Sequence, residues 1–88
     1  MTDKKLVLVG RIDQLVRNYF DNTPSVKEIM VKELMPLFIK KGIFKKDHRG
    51  GLPIRNLLRE LDKENKLSFI KHLRVDRKDI NRNWYFSK

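Results

Sequence analysis

Apolar residues at 8, 12, 15, 16, 19 and 20 recur at helical spacing, with Arg11, Asp13, Gln14, Arg17 and Asn18 between them. The pattern predicts a first helix over Leu6–Phe20. The run Leu6-Val7-Leu8-Val9 before Gly10 also fits a short strand. Asp21-Asn22-Thr23-Pro24 stops one element and restarts another. A second helix is predicted from Thr23–Ser25, capped either by Thr23 with Pro24 in the first turn or by Ser25 and Glu28 as a capping box. Val26, Ile29, Met30, Leu34, Leu37 and Phe38 supply its apolar face. Pro36 lacks the N–H that a continuing helix needs, so this element kinks near Met35 or divides in two. Gly42 ends it, with Lys40 and Lys41 at the favourable end of the helix dipole.

Ile43-Phe44 are expected in the core, followed by a basic loop, Lys45-Lys46-Asp47-His48-Arg49-Gly50-Gly51. The third helix has the cleanest pattern. Leu52-Pro53 opens it, Ile54, Leu57, Leu58 and Leu61 read i, i+3, i+4, i+7, and it frays near Asn65. The period then changes to two. Leu73 and Val75 alternate with His72, Arg74 and Asp76, and Trp84 and Phe86 alternate with Asn83 and Tyr85. Two such runs about a polar turn predict a β-hairpin. The expected fold is α+β: three helices, the second kinked or split at Pro36, then a C-terminal hairpin.

The 88 residues fit one domain, 1–88, that buries roughly 60–65% of the unfolded chain's surface. Cysteine is absent, which excludes a disulfide framework, thiolate metal sites and a thiol nucleophile. Leu6–Val9 is too short for a secretory signal, and no apolar run approaches a membrane span, so a cytoplasmic protein with no membrane partner is expected.

Charge changes the picture most. Residues 1–39 carry six basic and five acidic side chains, whereas 40–88 carry fifteen and six, so a net charge of +10 is concentrated in the second part of the chain. A surface of that sign attracts polyanions, of which nucleic acid is the commonest in a cytoplasm. An acidic protein partner is the other reading. On the third helix Arg55, Arg59, Lys63 and Lys66 fall broadly opposite the apolar stripe, with Asn56 at its edge. Arginine can bond guanine O6 and N7 bidentately, and asparagine adenine N6 and N7. The same residues also suit a solvated face, since Glu60, Asp62 and Glu64 interrupt them. Lys45, Lys46, His48 and Arg49 precede glycines whose amides lie near a helix start and suit phosphate positioning. Arg77, Lys78 and Arg82 at the hairpin tip suit contact with a nucleic-acid backbone, or protection of the sheet edge.

The order of elements and the charge resemble the winged helix-turn-helix class of DNA-binding domains over Leu6–Phe86. That resemblance implies a recognition role for Arg55, Asn56, Arg59 and Lys63, and a backbone role for Arg77, Lys78 and Arg82. The stretch from Gly51 to Asp62 with the terminal Asn83-Trp84-Tyr85-Phe86 also resembles small bacterial proteins of unassigned function.

Catalysis finds little support. His48 and His72 are far apart in sequence, and no serine lies in a nucleophile-elbow context. Glu60, Asp62 and Glu64 point to different sides of a helix. No enzyme activity, metal or cofactor is expected. The expectation is a small regulator or accessory factor that binds double-stranded DNA, with RNA less favoured because the few aromatics are committed to the core. The alternative is a protein-interaction module, with a homodimer or an acidic partner, if Leu6–Val9 and the apolar residues of Val26–Phe38 exceed what the core can absorb.

Overall fold

The computed structural model describes residues 3–47, 49–77 and 82–88. Three α-helices and three strands follow in the order α1 (Asp3–Asn22), β1 (Glu28–Met30), α2 (Met35–Lys40), α3 (Leu52–Lys63), β2 (Leu73–Arg77) and β3 (Arg82–Ser87). The sheet is antiparallel with strand order β1-β3-β2. The α+β class, the first and third helices and the terminal hairpin match the expectation from sequence. The strand alternative for Leu6–Val9 does not hold, because α1 runs unbroken from Asp3.

The second element differs most. No helix starts at Thr23–Ser25. Glu28–Met30 pairs with β3, placing Glu28 opposite Ser87, Ile29 opposite Phe86 and Met30 opposite Tyr85. Val31–Leu34 then forms a 3-10 turn, and α2 begins only at Met35. Pro36 therefore divides the element instead of kinking it. It stands in the first turn of α2, where its missing N–H costs nothing and its fixed φ suits the helix. Helical spacing misled here because one apolar series is shared among a strand, a turn and a helix.

Two helix ends show why the chain turns where it does. Ile43 N–H donates to Phe38 O at 2.9 Å and Gly42 N–H to Ile39 O at 3.0 Å, with Gly42 at φ +76°. Lys66 N–H donates to Leu61 O at 2.8 Å and Asn65 N–H to Asp62 O at 3.1 Å, with Asn65 at φ +58°. Both are Schellman closures, which satisfy carbonyls that a helix terminus otherwise leaves unpaired.

The buried side chains form one cluster. Val9, Ile12, Val16 and Phe20 come from α1, Met35 and Phe38 from α2, Ile54, Leu57, Leu58 and Leu61 from α3, and Trp84 and Phe86 from β3. Each large aliphatic buried this way contributes about 1.5–3 kcal/mol of transfer free energy. Phe38 meets Phe86 edge-on, with ring centroids 6.2 Å apart and planes at 89°. Ile43 is buried, as its sequence position suggested, and Phe44 packs edge-on against Phe38. No described helix is long and apolar enough to cross a membrane.

Candidate nucleic-acid interface

The apolar stripe of α3 is spent on the core, so its opposite face is left to solvent. Asn56, Arg59 and Lys63 are exposed there. Together with Glu60, Asp62 and Glu64 they line an open depression. Arg59 Nη1 donates to Asn56 Oδ1 at 3.3 Å, one turn away, which joins the two side chains best suited to base edges.

The acidic residues that interrupt this face are each matched by a cation. Lys5 of α1 reaches Glu60 at 2.6 and 2.8 Å. Arg77 at the end of β2 grips Asp62 with two bonds, at 2.7 and 2.9 Å. Lys66 lies 3.5 Å from Glu64. Arg59 and Lys63 form no ion pair with any described carboxylate. The face is therefore net positive, through fewer residues than its sequence lists.

The Arg77 contact follows from strand alternation. In β2, Leu73 and Val75 stand opposite Phe86 and Trp84 on the face turned to the core, and Arg77 is the next residue on that face. Beyond the edge of the apolar patch it meets α3. Asp62 pushes the Arg77 guanidinium above its ordinary value, first by hydrogen bonding and then by charge.

The remaining sequence-derived candidates divide by location. Arg55 is half-buried and folds back on the loop before α3, with Nη2 donating to Arg49 O at 2.7 Å and Nε to Gly51 O at 3.4 Å. It braces the start of the helix and stands apart from the Arg59–Lys63 face. Lys45, Lys46 and Arg49 are exposed and free of described carboxylates. The Gly51 amide is already engaged, donating to Asp47 Oδ1 at 2.9 Å. His48 and Lys78 lie outside the described residues, and of Arg82 only the backbone is described, paired with Arg77.

Sequence reasoning missed three features of this surface. Arg74 bonds Glu28 at 3.0 Å across β3 and lies 4.6 Å above the Tyr85 ring, so the outer sheet face is tied by charge and stacking. Lys5 and Arg77 as partners of α3 acids lie 55 and 15 residues away from them. No local pattern could have shown either pair. Gly51 was visible as a glycine, but its close approach to Lys32 was not. A Cβ there would lie 2.6 Å from Lys32 Cβ.

The chain matches no protein-family model, no curated protein and no solved structure.

Proposed function

We propose that this protein binds double-stranded DNA as a small regulator or accessory factor, in the manner of a winged helix, with α3 as the reading element. The observation that carries the reading is the α3 face itself. Asn56, Arg59 and Lys63 are exposed on one side of a helix whose other side is fixed in the core, and the neighbouring acids are neutralised from within the chain. A rigid helix with a bidentate donor and an amide at one-turn spacing suits a major groove. Lys45, Lys46 and Arg49 would neutralise phosphates beside it, and the hairpin after α3 would lie along the backbone. The strand order β1-β3-β2 and the position of the hairpin after α3 support the winged-helix comparison.

Interaction with a protein partner draws less support. Val31, Leu34, Met35 and Phe38 are absorbed in the core, and among described residues the large exposed apolar side chains are Val7 and Phe69.

The test is titration of a labelled random-sequence duplex at low and moderate salt, with single-stranded RNA alongside. Saturable duplex binding whose logarithm falls linearly with log[salt] is expected, because phosphate contacts release counterions. Arg59→Ala should alter sequence preference, whereas Lys46→Ala should weaken all duplexes alike. If Arg59→Ala leaves every duplex affinity unchanged, α3 is not the reading element.

A further inference from the structure

β2 ends the sheet on the side away from β1, with β3 the one described strand beside it. Ser87 N–H donates to His72 O at 2.7 Å, and this pair continues the register that sets Leu73 opposite Phe86. Antiparallel pairing alternates, so Arg74 and Asp76 turn their backbone groups to β3, while Leu73, Val75 and Arg77 turn theirs to the open edge. Leu73 N–H is taken by Ile70 O at 3.2 Å. The edge therefore offers Leu73 C=O, Val75 N–H and C=O, and Arg77 N–H, none of them bonded to a described residue. Such an edge is a template for another strand. The opposite edge is a poorer one, since β1 has three residues and passes straight into the 3-10 turn Val31–Leu34.

The side chains of β2 say which strand fits. Leu73 and Val75 face the core and are half-buried, so Arg74 and Asp76 stand on the outer face of the sheet. Arg74 gives Nε and Nη2 to Glu28, at 3.0 and 2.9 Å, and keeps Nη1 unused. Asp76 is half-buried and has no ion pair or side-chain hydrogen bond with a described residue. Two copies of β2, antiparallel about a twofold axis at Val75, put Arg74 of each copy opposite Asp76 of the other. That position is a non-hydrogen-bonded one, where facing side chains lie closest. Sliding the register by two residues sets Arg74 against Arg74 in one direction and Asp76 against Asp76 in the other, and like charges directly opposite destabilise a pair. Sliding it by one sets the core row of one copy against the outer row of the other. A single register satisfies both backbone and charge, and a second copy carries the matching acid and base by identity.

We propose that the free edge of β2 pairs with β2 of a second copy, extending the sheet across a twofold axis. Val75 N–H donates to Val75 O in both directions, and Arg77 N–H of each copy donates to Leu73 O of the other. The surface is separate from the apolar residues absorbed in the core and from the Arg59–Lys63 face. An axis through a continuous antiparallel sheet runs across its plane, so the helices of both copies lie on one side. On the DNA reading the two α3 faces would then meet an inverted repeat, while the pairing itself stands without that reading.

The experiment uses the full chain without nucleic acid, at 0.15 M salt, where screening over about 8 Å limits repulsion between two basic chains. Sedimentation from 10 µM to 1 mM is expected to show a mass rising toward twice that of one chain, with a dissociation constant on the order of 100 µM for so small an interface. Exchange of the Val75 amide should slow as concentration rises, whereas the Arg74 and Asp76 amides, already bonded to β3, hold their protection. Asp76→Lys sets like charges opposite each other twice and should weaken association at least tenfold. Arg74→Glu should do the same. An equimolar mixture of the two variants should restore it, because each reversal then faces its complement, and this regain excludes misfolding as the cause of either loss. A chain that stays monomeric to 1 mM overturns the proposal. A dimer that Asp76→Lys leaves intact, or whose Val75 amide ignores concentration, is built on another surface and overturns it as well.

Discussion

Arg77 holds Asp62 with two parallel hydrogen bonds, at 2.7 and 2.9 Å, and so clamps the end of β2 to the last turn of α3. The pair fixes the base of the hairpin relative to the helix that we propose reads DNA. It also cancels one basic charge at that junction. Asp62→Asn would release both effects. Duplex affinity at low salt is expected to rise by roughly tenfold, with the slope of log affinity against log[salt] steeper by about 1, because a freed cation can neutralise another phosphate. Amide exchange at Val75–Arg77 should speed up in the same variant. Asp62 raises the Arg77 pKa, so this stabilisation is fully present between the ordinary carboxylate range and the ordinary arginine value, and it is lost as pH rises through the raised arginine pKa or falls far enough to protonate Asp62. Exchange protection of the hairpin base in the native protein should therefore be flat from about pH 6 to pH 9 after correction for intrinsic exchange. A duplex affinity unchanged in Asp62→Asn would place Arg77 outside any phosphate contact.

The left-handed residue that closes α3 is Asn65, at φ +58°. Asparagine tolerates this conformation better than most side chains, but glycine adopts it without steric cost. Asn65→Gly keeps both closing bonds, which are made by backbone groups, and should stabilise the protein by about 0.5 kcal/mol. Urea unfolding decides it, and a lower midpoint would mean that the Asn65 side chain contributes a contact of its own.

Pro36 gives a prediction whose sign separates two arrangements. A proline inside a continuous helix costs about 3 kcal/mol, so its replacement by alanine would stabilise the protein strongly. In the first turn of α2 it costs nothing and restricts the unfolded chain. Pro36→Ala should therefore destabilise slightly, by about 0.4–1 kcal/mol. A gain in thermal midpoint would contradict the division of the chain at Leu34–Met35.

Much of this architecture is legible in the sequence where a single element buries a single face. Ile54, Leu57, Leu58 and Leu61 mark α3 because all four meet the same core. Leu73, Val75, Trp84 and Phe86 mark the hairpin because pairing is local. β1 is not legible. Three residues are too few to show a period, and their partner strand lies more than fifty residues away, so tertiary pairing overrides the helical spacing of Val26, Ile29 and Met30. The candidate interface divides in the same way. Asn56, Arg59 and Lys63 are read correctly as an exposed face from the stripe opposite them. Arg55 is misplaced among them because its guanidinium turns back to Arg49 O and Gly51 O, a choice set by the loop and not by helical angle.

Gly50 and Gly51 look equivalent in sequence and both adopt positive φ, at +60° and +89°. Their surroundings differ. A Cβ at Gly50 would meet nothing within 4 Å, whereas one at Gly51 would stand 2.6 Å from Lys32 Cβ and 3.0 Å from Lys32 Cα. Gly50→Ala thus incurs only the cost of a left-handed backbone, about 1 kcal/mol. Gly51→Ala adds a clash with the body of the 3-10 turn, which cannot yield without moving backbone, and the overpacking raises the total to about 2–4 kcal/mol. In a domain of this size that difference should separate the two thermal midpoints by roughly 5 °C or more. Equal midpoints would show that the loop adjusts freely at both positions.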